Sequence, residues 1–380
     1  MTLAKNEIFE GIKLIRPLLI LCICIAHMPG VRGYSSSYDQ YDQIDTLFAI
    51  FLKDFLARGG VPILTVISGY LAYFSYKKIP YGSLINKKFN TLLVPFLIWN
   101  VIALVFCFFS YSVFQVSYLN YSSLDGWKSY MNVILGVNLN MPINFPVYFI
   151  RDLFLIMASL PVIDFLCRKK IVFSIFFIFW MFLSWVSHSI VFISDDFSTH
   201  ILYRTDMLLY FFIGYFYALN GFPIPKLSRY GVFVVMVFLG VIGLFVSMYL
   251  SGVNPGGYDF VNIRFLFSMA FILAIPTFFS FITLNLNSVF VRVLRSLSPY
   301  SFTIFLSHII FLNVFSFFVY RVLGWSVTER SSLFEQIPFV LFYLSSVCMF
   351  AFFVLKTWNV ISNYLTGVVR SRVPKKYEQA

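Results

Sequence analysis

Arg16 and His27 fall inside one apolar segment, Ile12 to Met28, that is long enough to cross a bilayer. A cation in hydrocarbon is costly, so an arginine at such a place faces a wet or polar interior and marks a function. Eleven positions separate the two residues. At about 100° per residue they lie within about 20° of one helix face, roughly 16 Å apart along the axis. One inner face therefore carries a fixed cation near one membrane surface and a titratable imidazole much deeper. An imidazole titrates near neutral pH and suits general-base or nucleophilic work. A guanidinium suits two-pronged contact with a phosphate or a carbonyl.

Other polar residues interrupt the apolar runs. Gly59-Gly60-Val61-Pro62 is followed by Ser68-Gly69-Tyr70. This pattern fits a small-residue packing face and a ligand contact equally. Arg151 and Asp152 are adjacent, and either a neutralised pair or a functional one is open. Arg204 with Asp206 reads as an interfacial pair, and Arg264 as a residue at an outer loop. His308 stands mid-way along an apolar run, with Tyr300, Ser301 and Ser307 at helical spacing, and reads as part of a polar pocket. His188 and His200 read as wetted surface residues. Cys22, Cys24, Cys107, Cys167 and Cys348 lie in or beside apolar runs and read as packing residues.

The elements that must position these groups are membrane helices. The chain has 380 residues, 60% of them hydrophobic and only 12% charged, more apolar surface than a soluble domain can hide. Ten spans are expected, near 12–28, 55–76, 89–110, 146–166, 171–192, 201–219, 230–250, 261–283, 299–320 and 336–357. The stretch from Asp45 to Arg58 is amphipathic and reads as an interfacial segment or an extension of the second span. Tyr111 to Asn144 is the longest outer loop, with room for a short lid or interfacial helix.

Loop charge alternates. Fifteen basic residues fall on one side: Lys77, Lys78, Lys87, Lys88, Arg168, Lys169, Lys170, Lys226, Arg229, Arg292, Arg295, Arg370, Arg372, Lys375 and Lys376. By the positive-inside rule both termini are then cytoplasmic, and the net charge of +12 reflects topology rather than nucleic-acid binding. The expected class is thus all-α: a polytopic bundle forming one domain over residues 1–380, with no appended soluble domain. Arg16 within the apolar core, and the poor cleavage site at Ala26-His27-Met28, argue against a cleaved signal peptide. No repeat, phosphate-binding loop or metal-ligand spacing is visible.

In order and spacing the motifs resemble the integral-membrane acyltransferase 3 family, which includes bacterial surface-polysaccharide O-acetyltransferases. Four stretches carry the likeness: Arg16 to His27; Gly60 to Tyr70; Phe145 to Leu153; and Tyr300 to His308. Lys87-Lys88, followed by Leu93-Val94-Pro95 and Trp99, is similar to the family's third helix. Pro17 stands where the family often has glycine, and Lys13 and Ile15 depart from its usual lead-in.

The resemblance implies a multi-pass enzyme of the bacterial inner membrane. Its donor would be acetyl-coenzyme A or another acyl-coenzyme A, with no permanently bound cofactor and no metal. Its acceptor would be a carbohydrate hydroxyl, and polysaccharide-assembly proteins are possible partners. His27 and Arg16 are then the catalytic candidates. Arg16, Lys87 and Lys88 are candidates for the donor, and Ser68, Tyr70, Arg151, Asp152 and His308 for the acceptor or the oxyanion. A transporter or flippase of a lipid-linked sugar is the alternative, since intramembrane Arg, His and Asp also build substrate pathways.

Overall fold

The computed structural model describes residues 2–28, 50–114, 126–136, 142–186, 205–251, 258–324 and 333–370. Among these the chain is helical, with one isolated bridge between Thr2 and Pro225 and no strand. The helices are α1 (Lys5–Ala26), α2 (Gly60–Lys78), α3 (Tyr81–Lys88), α4 (Val94–Phe114) and α5 (Gly126–Leu135), then α6 (Tyr148–Ala158), α7 (Leu160–Arg168), α8 (Lys170–Val186), α9 (Thr205–Leu219) and α10 (Arg229–Ser251), and finally α11 (Tyr258–Leu273), α12 (Ile275–Leu284), α13 (Val289–Leu297), α14 (Ser301–Phe317) and α15 (Leu333–Arg370).

Five helical stretches among the described residues are long and apolar enough to cross a membrane: Phe51–Lys78, Tyr81–Val113, Leu266–Leu284, Val289–Phe317 and Phe334–Thr357. The first of these absorbs residues 51–59, so this part of the amphipathic stretch extends the second span. Glu10, Lys13 and Arg16 dilute the apolar character of α1. The expected span at 146–166 bends at Ser159, between α6 and α7, and that at 261–283 bends at Ala274, between α11 and α12. Pro161 and Pro276 cause the bends, because each lacks a helical donor and crowds the preceding turn.

The surface is apolar where a soluble protein's would be polar. Phe238 and Phe245 on α10, Ile175 and Phe182 on α8, and Met349 and Phe353 on α15 are exposed. Asn100, Asp152, Thr277, His308 and Gln336 are buried. So much exposed apolar surface is what a bundle set in lipid presents.

Helix α1 is the central post. It packs against the turns at 51–59 and against α2, α12, α13, α14 and α15. From Pro17 to Met28 none of its side chains is exposed. Pro17 lies inside the helix, so the carbonyl of Lys13 loses its normal donor. The Ser298 hydroxyl supplies one, donating to Lys13 O at 3.2 Å. At the same end, Lys226 donates to Glu7 at 2.6 Å and Arg295 approaches Glu10 at 3.7 Å. The Lys226 ammonium, with the Ala4 N–H, holds the Glu7 carboxyl below its ordinary range. This tether is complete above the unfolded carboxylate range and weakens as pH falls through the lower folded value.

Helices α2 and α9 make the closest contact in the bundle. Gly69 lies against the backbone of Phe211, and Gly214 against the backbone of Val66 and Tyr70. A methyl group at either glycine collides with main chain that cannot rotate away. Gly214→Ala should therefore lower stability by about 1–3 kcal/mol through overpacking, read as the thermal unfolding midpoint in detergent. Adding Gly69→Ala should cost less than the sum of the two single changes, because both separate the same helix pair.

Candidate active site

His27 caps the C-terminal end of α1, its N–H donating to Cys24 O at 3.2 Å. Met28-Pro29-Gly30 follows, and the residue before a proline disfavours helix. The His27 ring is half-buried. It meets Phe145 edge-on, with centroids 4.5 Å apart and planes at 81°. It stacks on His308 at 5.7 Å and 28°.

His308 is fully buried on α14. Its Nδ1 lies 2.7 Å from the carbonyl of Phe305. A carbonyl only accepts, so Nδ1 carries the proton and Nε2 keeps its lone pair. That Nε2 is buried and has no hydrogen-bond partner. The site thus pairs a half-buried imidazole with a fully buried one whose tautomer is set.

Phe145 is delivered to His27 by a built turn. Asn144 is buried; its N–H donates to Asn100 Oδ1 at 3.0 Å and its Nδ2 to Leu306 O at 2.8 Å. Pro146 then opens the tight turn Phe145–Val147 that leads into α6. Lys53 reaches Met28 O at 3.4 Å, and the charges of Lys53 and Arg58 act on His27. Two cations therefore lie near His27, at the end of α1 away from Arg16.

Arg16 lies at the other end. Phe9, Lys13 and Arg16 form an exposed stripe on the face of α1 that continues through buried Ile20 to His27. Exposure along this face of α1 therefore ends at Arg16. Lys88 lies within electrostatic range of both Arg16 and Lys87, so the structure brings these three cations together.

The remaining candidates sit apart from the histidine pair. Ser68 donates to Leu64 O of its own helix at 2.7 Å. Tyr70 packs on Phe74, whose ring meets Phe9 and Lys5 at the Arg16 end. Arg151 directs Nε and Nη2 at Asp152 Oδ1, at 2.9 and 2.8 Å. Its Nη1 donates to Leu135 O at 3.1 Å and Gly136 O at 2.8 Å, capping α5. Helix α5 is the short helix allowed by the long outer loop, and its Trp127 is 71% exposed.

His188, His200 and Arg204, and the side chain of Arg264, lie outside the described residues. No disulfide joins the described cysteines, and no cluster of metal-ligating side chains occurs among the described residues. Asn144, Lys53, Arg58 and Tyr343 were not singled out from sequence as site residues. Of these, Asn144 had a usable signal, since it directly precedes the Phe145-Pro146 stretch.

A helical membrane bundle that buries a histidine pair at one end of a central helix, and gathers cations at the other, defines a membrane protein with an internal chemical site. The chain belongs to the acyltransferase 3 family: the family's model, described as an acyltransferase domain, matches residues 9–358. The chain is similar to the succinoglycan biosynthesis protein ExoH of Rhizobium meliloti (strain 1021), with 27% identity over 248 residues. The match covers 63% of this chain and 62% of that relative, less than two thirds of the relative's length. No solved structure matches the chain.

Arg151 is a positioning residue in this geometry, so its loss should be a loss of structure first. Arg151→Leu should destabilise by about 3–5 kcal/mol, because it removes the cation from buried Asp152. Arg151→Lys should recover little, since an ammonium cannot reach Asp152 and two carbonyls at once. Thermal unfolding and transfer activity measured side by side should fall together; activity lost at full stability would make Arg151 a substrate contact instead.

Proposed function

We propose that this protein moves an acyl group, acetyl in the simplest case, from acyl-coenzyme A at the cytoplasmic face to a carbohydrate hydroxyl on the outer side. The acceptor is a surface polysaccharide or a lipid-linked sugar. In this reading the bundle crosses the bacterial inner membrane ten times and keeps both termini in the cytoplasm. One observation carries the proposal: a single helix presents an accessible guanidinium among lysines at one end and an imidazole stacked on a second imidazole at the other.

The chemistry follows from those groups. The donor's phosphates meet Arg16, Lys88 and Lys87, where cations favour a polyanion. The thioester reaches inward to His27. The acceptor hydroxyl loses its proton to an imidazole, which typically contributes about 10² to 10⁴-fold. Where His27 carries the acyl group, the bare Nε2 of His308 is the imidazole nitrogen that accepts the proton of that hydroxyl. His27 acts either as a covalent acyl carrier or as the base in direct transfer. The acyltransferase family and the polysaccharide role in the relative's name support the reading.

Incubating the purified protein with radiolabelled acetyl-coenzyme A and surface glycan tests it. Label on the glycan is expected, whereas glycan movement without covalent change would favour the flippase alternative. His27→Ala should abolish transfer while the protein stays folded in the membrane; transfer at the wild-type rate would falsify the catalytic assignment. Arg16→Lys should raise the apparent KM for acyl-coenzyme A, because lysine lacks the planar two-pronged contact. An unchanged KM in that variant removes Arg16 from the donor site.

A further inference from the structure

Acyl transfer places negative charge on the carbonyl oxygen of the acyl group. A buried site that accelerates the reaction needs a fixed donor aimed at that oxygen. His308 does not supply one, because its Nε2 is an acceptor, and Asn144 commits one amide N–H to Leu306 O.

Tyr343 does offer a donor. It is fully buried on α15, and its hydroxyl has no hydrogen-bond partner among the described residues. Its ring packs on Phe311 and Phe315 of α14, at 6.4 and 5.3 Å between centroids. These two residues follow His308 by three and seven positions, on the same helix face. On its other side Tyr343 lies within electrostatic range of Cys24. Cys24 precedes His27 by three positions and shares its face of α1. Tyr343 therefore packs beside the stretch of α14 that follows His308 and lies near the stretch of α1 that leads into His27. A phenol without a partner at such depth is costly, and buried tyrosines normally find one.

We propose that the Tyr343 hydroxyl is the donor that holds the acyl carbonyl oxygen while it carries negative charge. The proposal rests on the acyl-transfer reading above. In the step, the acceptor oxygen bonds to the acyl carbon and the carbonyl π pair moves onto oxygen, where Tyr343 donates to it. The pair then returns as the bond from carbon to the leaving atom breaks. That atom is the thioester sulfur, or the ring nitrogen if His27 carries the acyl group. The proton taken from the acceptor hydroxyl by an imidazole ends on the leaving atom, and Tyr343 keeps its own proton throughout.

Tyr343→Phe removes one oxygen and keeps the ring contacts, so it isolates the claim. In purified protein supplied with labelled acetyl-coenzyme A and glycan, kcat should fall by about 10² to 10³-fold. Both KM values should stay within about threefold of wild type, as expected of an interaction made in the transition state alone. The variant should unfold at the same temperature or higher, because it deletes an unpartnered donor. A wild-type kcat in the variant overturns the proposal, as does an effect confined to KM or a parallel loss of stability. Absence of transfer by the wild-type protein overturns the parent reading and this proposal with it; active wild type beside an equally active variant overturns this proposal alone.

Discussion

The bond from His308 Nδ1–H to the carbonyl of Phe305 governs what the buried site can do. A neutral imidazole has one donor and one acceptor nitrogen, and fixing one fixes the other. With Nδ1 committed within its own helix, Nε2 is left as a lone pair in a dry interior. An unmade bond there costs about 1–3 kcal/mol. Neighbouring groups could have satisfied it, yet the nearest aromatic face, that of His27, is stacked on the ring instead of pointing a nitrogen at it. Buried polar atoms left this way are uncommon and coincide with places where a substrate completes the network.

Keeping those atoms in place falls to the packing around α1. Gly60 lets α2 approach so closely that an added methyl would sit 2.7 Å from Leu19 O. Gly69 and Gly214 do the same between α2 and α9, while Gly11 makes room for the ring of Phe279 from α12. Backbone-to-backbone approach of this kind substitutes for the hydrophobic drive that helices in lipid lack. The Ser298 hydroxyl on Lys13 O meets a cost that Pro17 creates, and it joins the start of α14 to α1. Both histidines are thereby held on elements tied together at the opposite end of the bundle.

The sequence made the first helix legible because a charged residue in an apolar run has few physical explanations. Arg16 stands open beside Lys88, and His27 lies deeper on the same face. The helical class was readable for the same reason: long uncharged runs leave few other folds in lipid. What sequence left open was which polar residues turn toward the histidines. Gly69 turned out to press on the backbone of Phe211, and Arg151 to cap α5, although either could equally have been a ligand contact. Tyr343 gave no signal, because a tyrosine in a span usually marks the headgroup boundary. Only the antiparallel docking of α15 on α14 sets its depth. The bends at Ser159 and Ala274 follow from Pro161 and Pro276, residues that periodicity alone reads straight through.

The two ends of α1 impose different demands on what enters. The open stripe stops at Arg16, and Ile20 and Ile23 close the face between it and His27. About 16 Å of helix separates the cation from the imidazole. In the proposed reaction a donor held by its phosphates must therefore send only a narrow, flexible arm past those side chains. A glycan ring is too broad and too hydrated for the same route. It would arrive from the side of Phe145, where Lys53 and Arg58 lie within electrostatic reach of His27. The seal made by Ile20 and Ile23 would then perform a second task, keeping water and small ions from following the donor inward. Enlarging that constriction should have opposite effects, easing donor entry while exposing an acylated imidazole to hydrolysis. In the proposed reaction, a barrier of branched apolar side chains between two polar sites would then decide that the acyl group leaves on the acceptor and not on water.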